Sequence, residues 1–263
     1  MRVAVVGIDG VGKTTVLRRI HEAGDVAVIH AIRAQDDPGS PFAGLSTKLA
    51  EASAAADAVG RVHLKAAVFY LQLCLYSAAE RRAAAAGRTV LADRHPLIDP
   101  LVYLPLLGRM ATSDNPDADV ADWWQKQNPA AAEAVRAWLH RCFGGVDPWA
   151  AGARLLEVGV KPRREMLDEL SRMFGVAPPD AVLFFDLPVD EAVSRTRTRT
   201  RGTELHETTE FLSKARRGYE QALDWLGAHR PDIAIRRIDC SGRTVRAVSD
   251  QVRQVLTDLD GRA

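Results

Sequence analysis

Apolar residues along this chain gather into short unbroken runs separated by stretches of helical spacing. Val3 to Val6, Val26 to Ile29, Thr89 to Ala92 and Val182 to Phe185 are the runs, and Ile233 to Ile238, which includes Arg236 and Arg237, reads as a fifth strand. Continuous apolar segments of this length, bounded by Gly, Asp or Pro, suit strands buried on both faces. Between them, Val16, Leu17 and Ile20 share one face of a helix opening near Gly12. Arg61 to Ala86 reads as a long helix closed by Gly87, and Val248, Val252, Val255 and Leu259 recur at helical spacing in the tail. Arg33 to Pro41 reads as a loop, since Asp37-Pro38-Gly39 is turn chemistry. Strands alternating with helices predict an α/β fold: a three-layer αβα sandwich around a five-stranded parallel sheet.

The alternation lapses between about Leu101 and Pro179, where helices follow without a strand. Trp123, Trp124, Trp138 and Trp149 all fall in that stretch. Both flanks belong to one sheet, so residues 1–263 read as a single domain with a helical insertion over about 104–178.

Composition narrows the function classes. A net charge of +1 over 263 residues gives no global pull toward nucleic acid, so no stable nucleic-acid partner is expected. The first apolar run is too short for a signal peptide, and no window approaches the ~18–20 apolar residues that span a bilayer. Cys74, Cys142 and Cys240 form no zinc or redox spacing. A cytoplasmic protein without membrane contact is expected, with Trp123-Trp124 a candidate core or homodimer contact.

Candidate chemistry begins at Gly7. Gly7-Ile8-Asp9-Gly10-Val11-Gly12-Lys13-Thr14 satisfies G-x-x-x-x-G-K-[ST] at every fixed position, after an apolar strand and at the start of a helix. Glycines let the backbone curl so that successive N–H groups point at phosphate oxygens, and the helix adds its N-terminal partial charge. In that pattern Lys13 serves the β- and γ-phosphates of ATP, and the Thr14 hydroxyl ligates Mg²⁺. The GTPase base-reading motif N-K-x-D is not found, and a small-molecule kinase is the economical reading. Asp93 ends the third strand, where a carboxylate holds Mg²⁺ through water, and Arg94 follows as a guanidinium for bidentate phosphate contact. Arg195, Arg197, Arg199 and Arg201 alternate with threonine before Gly202 and Glu204. Like charges packed this closely need an anion, so residues 195–207 read as a hinged lid closing arginines over the transferring phosphate.

Together these residues resemble the thymidylate kinase and deoxynucleoside kinase superfamily. Gly7 to Thr15 is similar to the thymidylate kinase loop, with Asp9 as the acidic residue that meets the substrate sugar. Asp93-Arg94-His95 resembles that family's D-R-[YHF] signature. Arg197 to Gly202, then Glu204, Phe211, Arg216 and Tyr219, resembles a bacterial lid and the helix after it. Pro179 to Pro188 is similar to the fourth strand, and Ile238-Asp239-Cys240-Ser241 to the segment beside adenine.

The resemblance implies an ATP- and Mg²⁺-dependent kinase acting on a nucleoside monophosphate. Asp9, Gly10, Val11, Gly12, Lys13, Thr14, Thr15, Arg195, Arg199 and Ser241 would bind ATP, and Thr14 and Asp93 the metal. Lys13, Asp93, Arg94, Arg199 and Arg201 would carry catalysis, with Arg33, Arg94, Asp9 and Glu204 on the acceptor. Departures keep a second class open. The loop after strand two matches only loosely over Arg33 to Gly39. Gln72, near the expected base-reading position and following Phe69, is similar to the amide of deoxynucleoside kinases. Asp93-Arg94-His95-Pro96 also resembles the D-R-H-P of herpesvirus-type thymidine kinases, which phosphorylate a 5′-hydroxyl and need a base, here Asp36 or Asp37. Asp37 is the candidate taken for that role. A specialised kinase for a modified nucleoside and a nucleotide-binding regulator without turnover complete the alternatives.

Overall fold

Strand β1 (Arg2–Val6) runs up the middle of a five-stranded parallel sheet of order β2-β3-β1-β4-β5. The structure is a computed structural model and describes residues 1–24, 26–37, 39–60, 62–111, 137, 148–197 and 209–261. The other strands are β2 (Ala27–His30), β3 (Val90–Asp93), β4 (Ala181–Asp186) and β5 (Ala234–Asp239), so all five lie within a residue or two of the expected strands. Val3 to Val6 and all of β3 are buried, as the unbroken apolar pattern requires of central parallel strands.

Helices cover both faces. Helix α1 (Lys13–Glu22) packs on the C-terminal helix α9 (Val245–Asp260). Helix α2 (Ala43–Val59) precedes α3 (Val62–Ala85), which packs against β2, β3, α4 (Pro100–Ala111), α5 (Pro148–Gly159) and α6 (Arg163–Phe174). Helix α7 (Val189–Arg197) follows β4, and α8 (Thr209–His229) packs on α4. The described parts of the stretch 104–178 are helices of this frame: Leu155, Met166, Leu170 and Phe174 lie in the same core cluster as the sheet.

Two features go beyond the sequence reading, and one expectation is corrected. Helix α2 was not expected, because its alanine-rich sequence gives little apolar contrast; the apolar side chains it is seen to bury are Leu49, Ala52 and Ala56, against Leu64 and Val68 of α3. The loop from Arg33 contains a 3₁₀ turn at Ala34–Asp36. Helix α3 is also long and apolar enough to cross a membrane by length and composition, where no such segment was expected. More than half of its apolar window (56%) is buried inside the protein, as a helix packed on several neighbours requires.

Candidate active site

The order 2-3-1-4-5 means that the chain leaves β1 for one side of the sheet and, after β3, crosses to the other. Ligands of open parallel sheets bind at the carboxyl ends of strands beside such a switch point. At the end of β1 the backbone curls through Gly7, Gly10 and Gly12, with φ of 146°, 87° and 95°. Two of these glycines are also required by close approach. A Cβ on Gly10 would stand 2.4 Å from the Ala192 carbonyl oxygen, and one on Gly7 2.5 Å from that of Phe185. The loop is thereby pressed against β4 and α7. Gly12 caps α1, Val11 is buried under the loop, and Thr15 is exposed.

Lys13 is buried, and its Nζ donates to the Gly7 and Ile8 carbonyls at 2.7 and 3.0 Å. Burial, with the Arg94 charge second, lowers its pKa. The Thr14 hydroxyl donates to Asp93 Oδ2 at 2.7 Å, and the His30 Nδ1 lies 3.0 Å from the same oxygen. His30 ends β2 and pairs in register with Asp93, which is how the ring reaches the carboxylate. Burial alone would push Asp93 up; the bonds from His30 and Thr14 and the Lys13 charge hold it at about 2. An ionised carboxylate beside a hydroxyl is a hard oxygen donor pair that fits Mg²⁺. Among the described residues no group of three or more His, Cys, Asp or Glu could hold a metal, so an ion here would complete its shell with water and nucleotide oxygens.

Arg94 is the one described non-glycine residue with a left-handed backbone, at φ 67°. Such a conformation costs ~1–3 kcal/mol and persists where its surroundings over-determine it. Its N–H donates to the Val5 carbonyl at 3.1 Å. Its guanidinium donates to Asp9 on one side and to Asp99 at 3.3 Å on the other, 5.2 Å above the Tyr103 ring. Asp99, fully buried, also accepts from the His95 N–H at 2.7 Å and the Tyr219 hydroxyl at 2.6 Å. Burial raises its pKa against the pull of Arg94. His95 is likewise enclosed, and burial, with Arg2 second, lowers it to about 3, so it stays neutral.

At the far end of the sheet, Ser241 donates to Glu191 at 2.9 Å, and Arg195 donates to the same carboxylate and to the Cys240 carbonyl. The expected donor-base residues are thus brought together beside β5. The Asp186 carboxylate, at the end of β4, accepts from Arg216 and Arg237.

The acceptor-side candidates are more dispersed. Arg33 pairs with Asp36 at 2.8 Å, whereas Asp37 accepts from the Gly39 N–H at 2.9 Å in a local turn. Phe69 packs against the main core, and Gln72 is buried in α3. Arg199, Arg201, Gly202 and Glu204 lie outside the described residues, as do Pro38, Trp123, Trp124, Trp138 and Cys142. Sequence reasoning missed His30 and Asp99 as neighbours of the site. Their only sequence signals are a histidine at a strand end and an acid six residues after Asp93.

No protein-family model matches the chain. It is 26% identical over 233 residues to a thymidylate kinase of Xanthomonas euvesicatoria, covering 88% of this chain and 76% of that protein. The fold is shared with the thymidylate kinase of Candida albicans (TM-score 0.55, 15% identity, 100% of this chain and 93% of that one). With its intact phosphate loop, the chain is a P-loop kinase similar to thymidylate kinases. The deoxyadenosine kinase of M. mycoides has the same architecture, at TM-score 0.54 and 12% identity over 98% of this chain and 100% of that one. The sequence likeness to thymidylate kinase, with the fold, makes the chain a phosphotransferase.

Proposed function

We propose that this cytoplasmic kinase transfers the γ-phosphoryl group of ATP to the 5′-phosphate of a nucleoside monophosphate. The observation that carries this reading is Arg94, a guanidinium fixed by an uncommon backbone beside Asp9 and one residue from the Thr14–Asp93 pair. A cation held there suits an acceptor phosphate facing the phosphate loop. The acceptor oxygen forms the new P–O bond as the β–γ bridging bond breaks and ADP departs. An acceptor phosphate is already a nucleophile, so the protein contributes position and charge.

In this reading Lys13 exchanges its loop carbonyls for the β- and γ-phosphate oxygens. Thr14 and Asp93 would hold Mg²⁺, whose contribution when bound would be charge neutralisation. Asp9 meets the sugar, Arg33 assists Arg94 on the acceptor, and Arg195 and Ser241 lie against the donor nucleotide. Arg199 and Arg201 complete the arginine lid, with Glu204 at the acceptor.

The Arg33–Asp36 pair supports a second reading, in which the acceptor is a nucleoside 5′-hydroxyl. A carboxylate already poised beside an arginine would serve as the base that a hydroxyl needs, with Asp37 its neighbour in the same loop. Measuring ADP formation against nucleosides and their 5′-monophosphates, thymidine and thymidylate among them, separates the two. The first reading expects turnover with monophosphates alone, and turnover confined to nucleosides would overturn it.

A further inference from the structure

We propose that Asp99 is a positioning residue for the transfer reaction: it sets the guanidinium of Arg94, and the Tyr219 hydroxyl locks Asp99 in the orientation that does so. The proposal rests on the reading that Arg94 receives the acceptor phosphate.

Arg94 cannot hold its place through its backbone alone, because the left-handed region is disfavoured for a residue with a Cβ. Two carboxylates bracket its guanidinium. Asp9 belongs to the phosphate loop and, in the functional reading, turns to the acceptor sugar. Asp99 has no such second task. It is fully buried and out of a ligand's reach. One of its oxygens takes the His95 N–H, and the other takes both the Tyr219 hydroxyl and the Arg94 Nη1. Those donors leave the carboxylate a single orientation.

The Tyr103 ring closes the seat beneath the guanidinium and meets the Tyr219 ring edge-on, with centroids 6.0 Å apart at 83°. The seat is thus assembled from the phosphate loop, the β3–α4 connection, α4 and α8. Sequence separation of 120 residues between Asp99 and Tyr219 makes it a product of the fold and not of a local motif.

A purely structural role, tying α4 to α8, is the competing explanation, and it makes different demands. Asp99→Asn keeps the shape and removes the charge; Tyr219→Phe keeps the ring and removes one hydroxyl. With the monophosphate that the wild type turns over best, Asp99→Asn is expected to raise the acceptor KM about tenfold and Tyr219→Phe about threefold, with the KM for ATP within about twofold of wild type. Side-chain ¹⁵N NMR reads position without turnover. The Arg94 Nη signals should be distinct and slowly exchanging in the wild type and averaged in Asp99→Asn.

Lower melting temperatures with unchanged acceptor KM and unchanged Arg94 signals would reduce Asp99 to a structural brace and overturn the proposal. If the wild type turns over no monophosphate, the functional reading fails by itself, and the NMR result decides the role of Asp99. Should Asp99→Asn not fold, Tyr219→Phe carries both measurements.

Discussion

Two strands of this sheet end in a carboxylate beside the phosphate loop, and the protein treats the two acids differently. Asp93, ending β3, is buried and held by a hydroxyl and an imidazole, with the Lys13 charge nearby. Asp186, ending β4, is gripped by two arginines, Arg216 at 2.8 Å and Arg237 at 2.6 Å. Burial would raise both acids, and their partners hold both below the usual carboxylate range. The partners differ in kind. A carboxylate braced by bidentate guanidinium has its charge already neutralised. One kept ionised by an imidazole, the nearby Lys13 charge and a hydroxyl, with no bidentate guanidinium across it, retains negative charge to offer an incoming cation. In the proposed reading Asp93 is thus the acid of the site, while Asp186 is the clamp that fastens α8 and β5 to the end of β4.

The largest test of that contrast is substitution. Asp93→Asn should lower kcat about 10³-fold under saturating ATP and acceptor, the scale of losing a principal electrostatic contact. Asp186→Asn should leave kcat within about threefold of wild type. Equal losses in steady-state assays would erase the distinction.

Acid stability separates the carboxylates from their surroundings. His95 is held neutral at about 3 against an ordinary 6.5, so between those values the unfolded chain binds the extra proton and stability falls as pH drops. Urea unfolding from pH 6.5 to pH 5 should lose about 2 kcal/mol on this account, and His95→Asn should flatten that slope. Asp93 acts lower: its contribution is present above pH 3.8 and lost as pH falls toward about 2. A slope above pH 5 that survives His95→Asn but vanishes in Asp93→Asn would reverse this assignment.

Removing the clamp costs less. Arg237 is more than half exposed, so Asp186→Asn should destabilise by only about 1 kcal/mol in denaturant titrations at low salt. The smallest expected effect is ionic: 1 M NaCl should shrink the gap between Asp186→Asn and wild type by roughly half, while the Asp93→Asn kinetic defect stays.

The same contrast explains what the sequence made legible. The loop from Gly7 to Thr14 can be read directly because its backbone needs glycine where φ is positive and where Ala192 and Phe185 press close. Strands β1, β3 and β4 announce themselves as unbroken apolar runs because both of their faces are buried. Asp93 and Arg94 follow from their place at a strand end. His30 and Asp99 could not be found that way. The first matters only because β2 pairs with β3 in a particular register, and the second only because α8 returns Tyr219 across 120 residues. Helix α2 escaped because alanine favours helix without marking a buried face.

The central claim is that Asp93 serves phosphoryl transfer to a monophosphate while Asp186 only braces the fold. The most direct measurement follows the label from γ-³²P-ATP into nucleosides and 5′-monophosphates with wild type, Asp93→Asn and Asp186→Asn side by side. The account predicts label on monophosphates with wild type and Asp186→Asn, and almost none with Asp93→Asn. Label appearing only on nucleosides, or transfer persisting undiminished in Asp93→Asn, would contradict it.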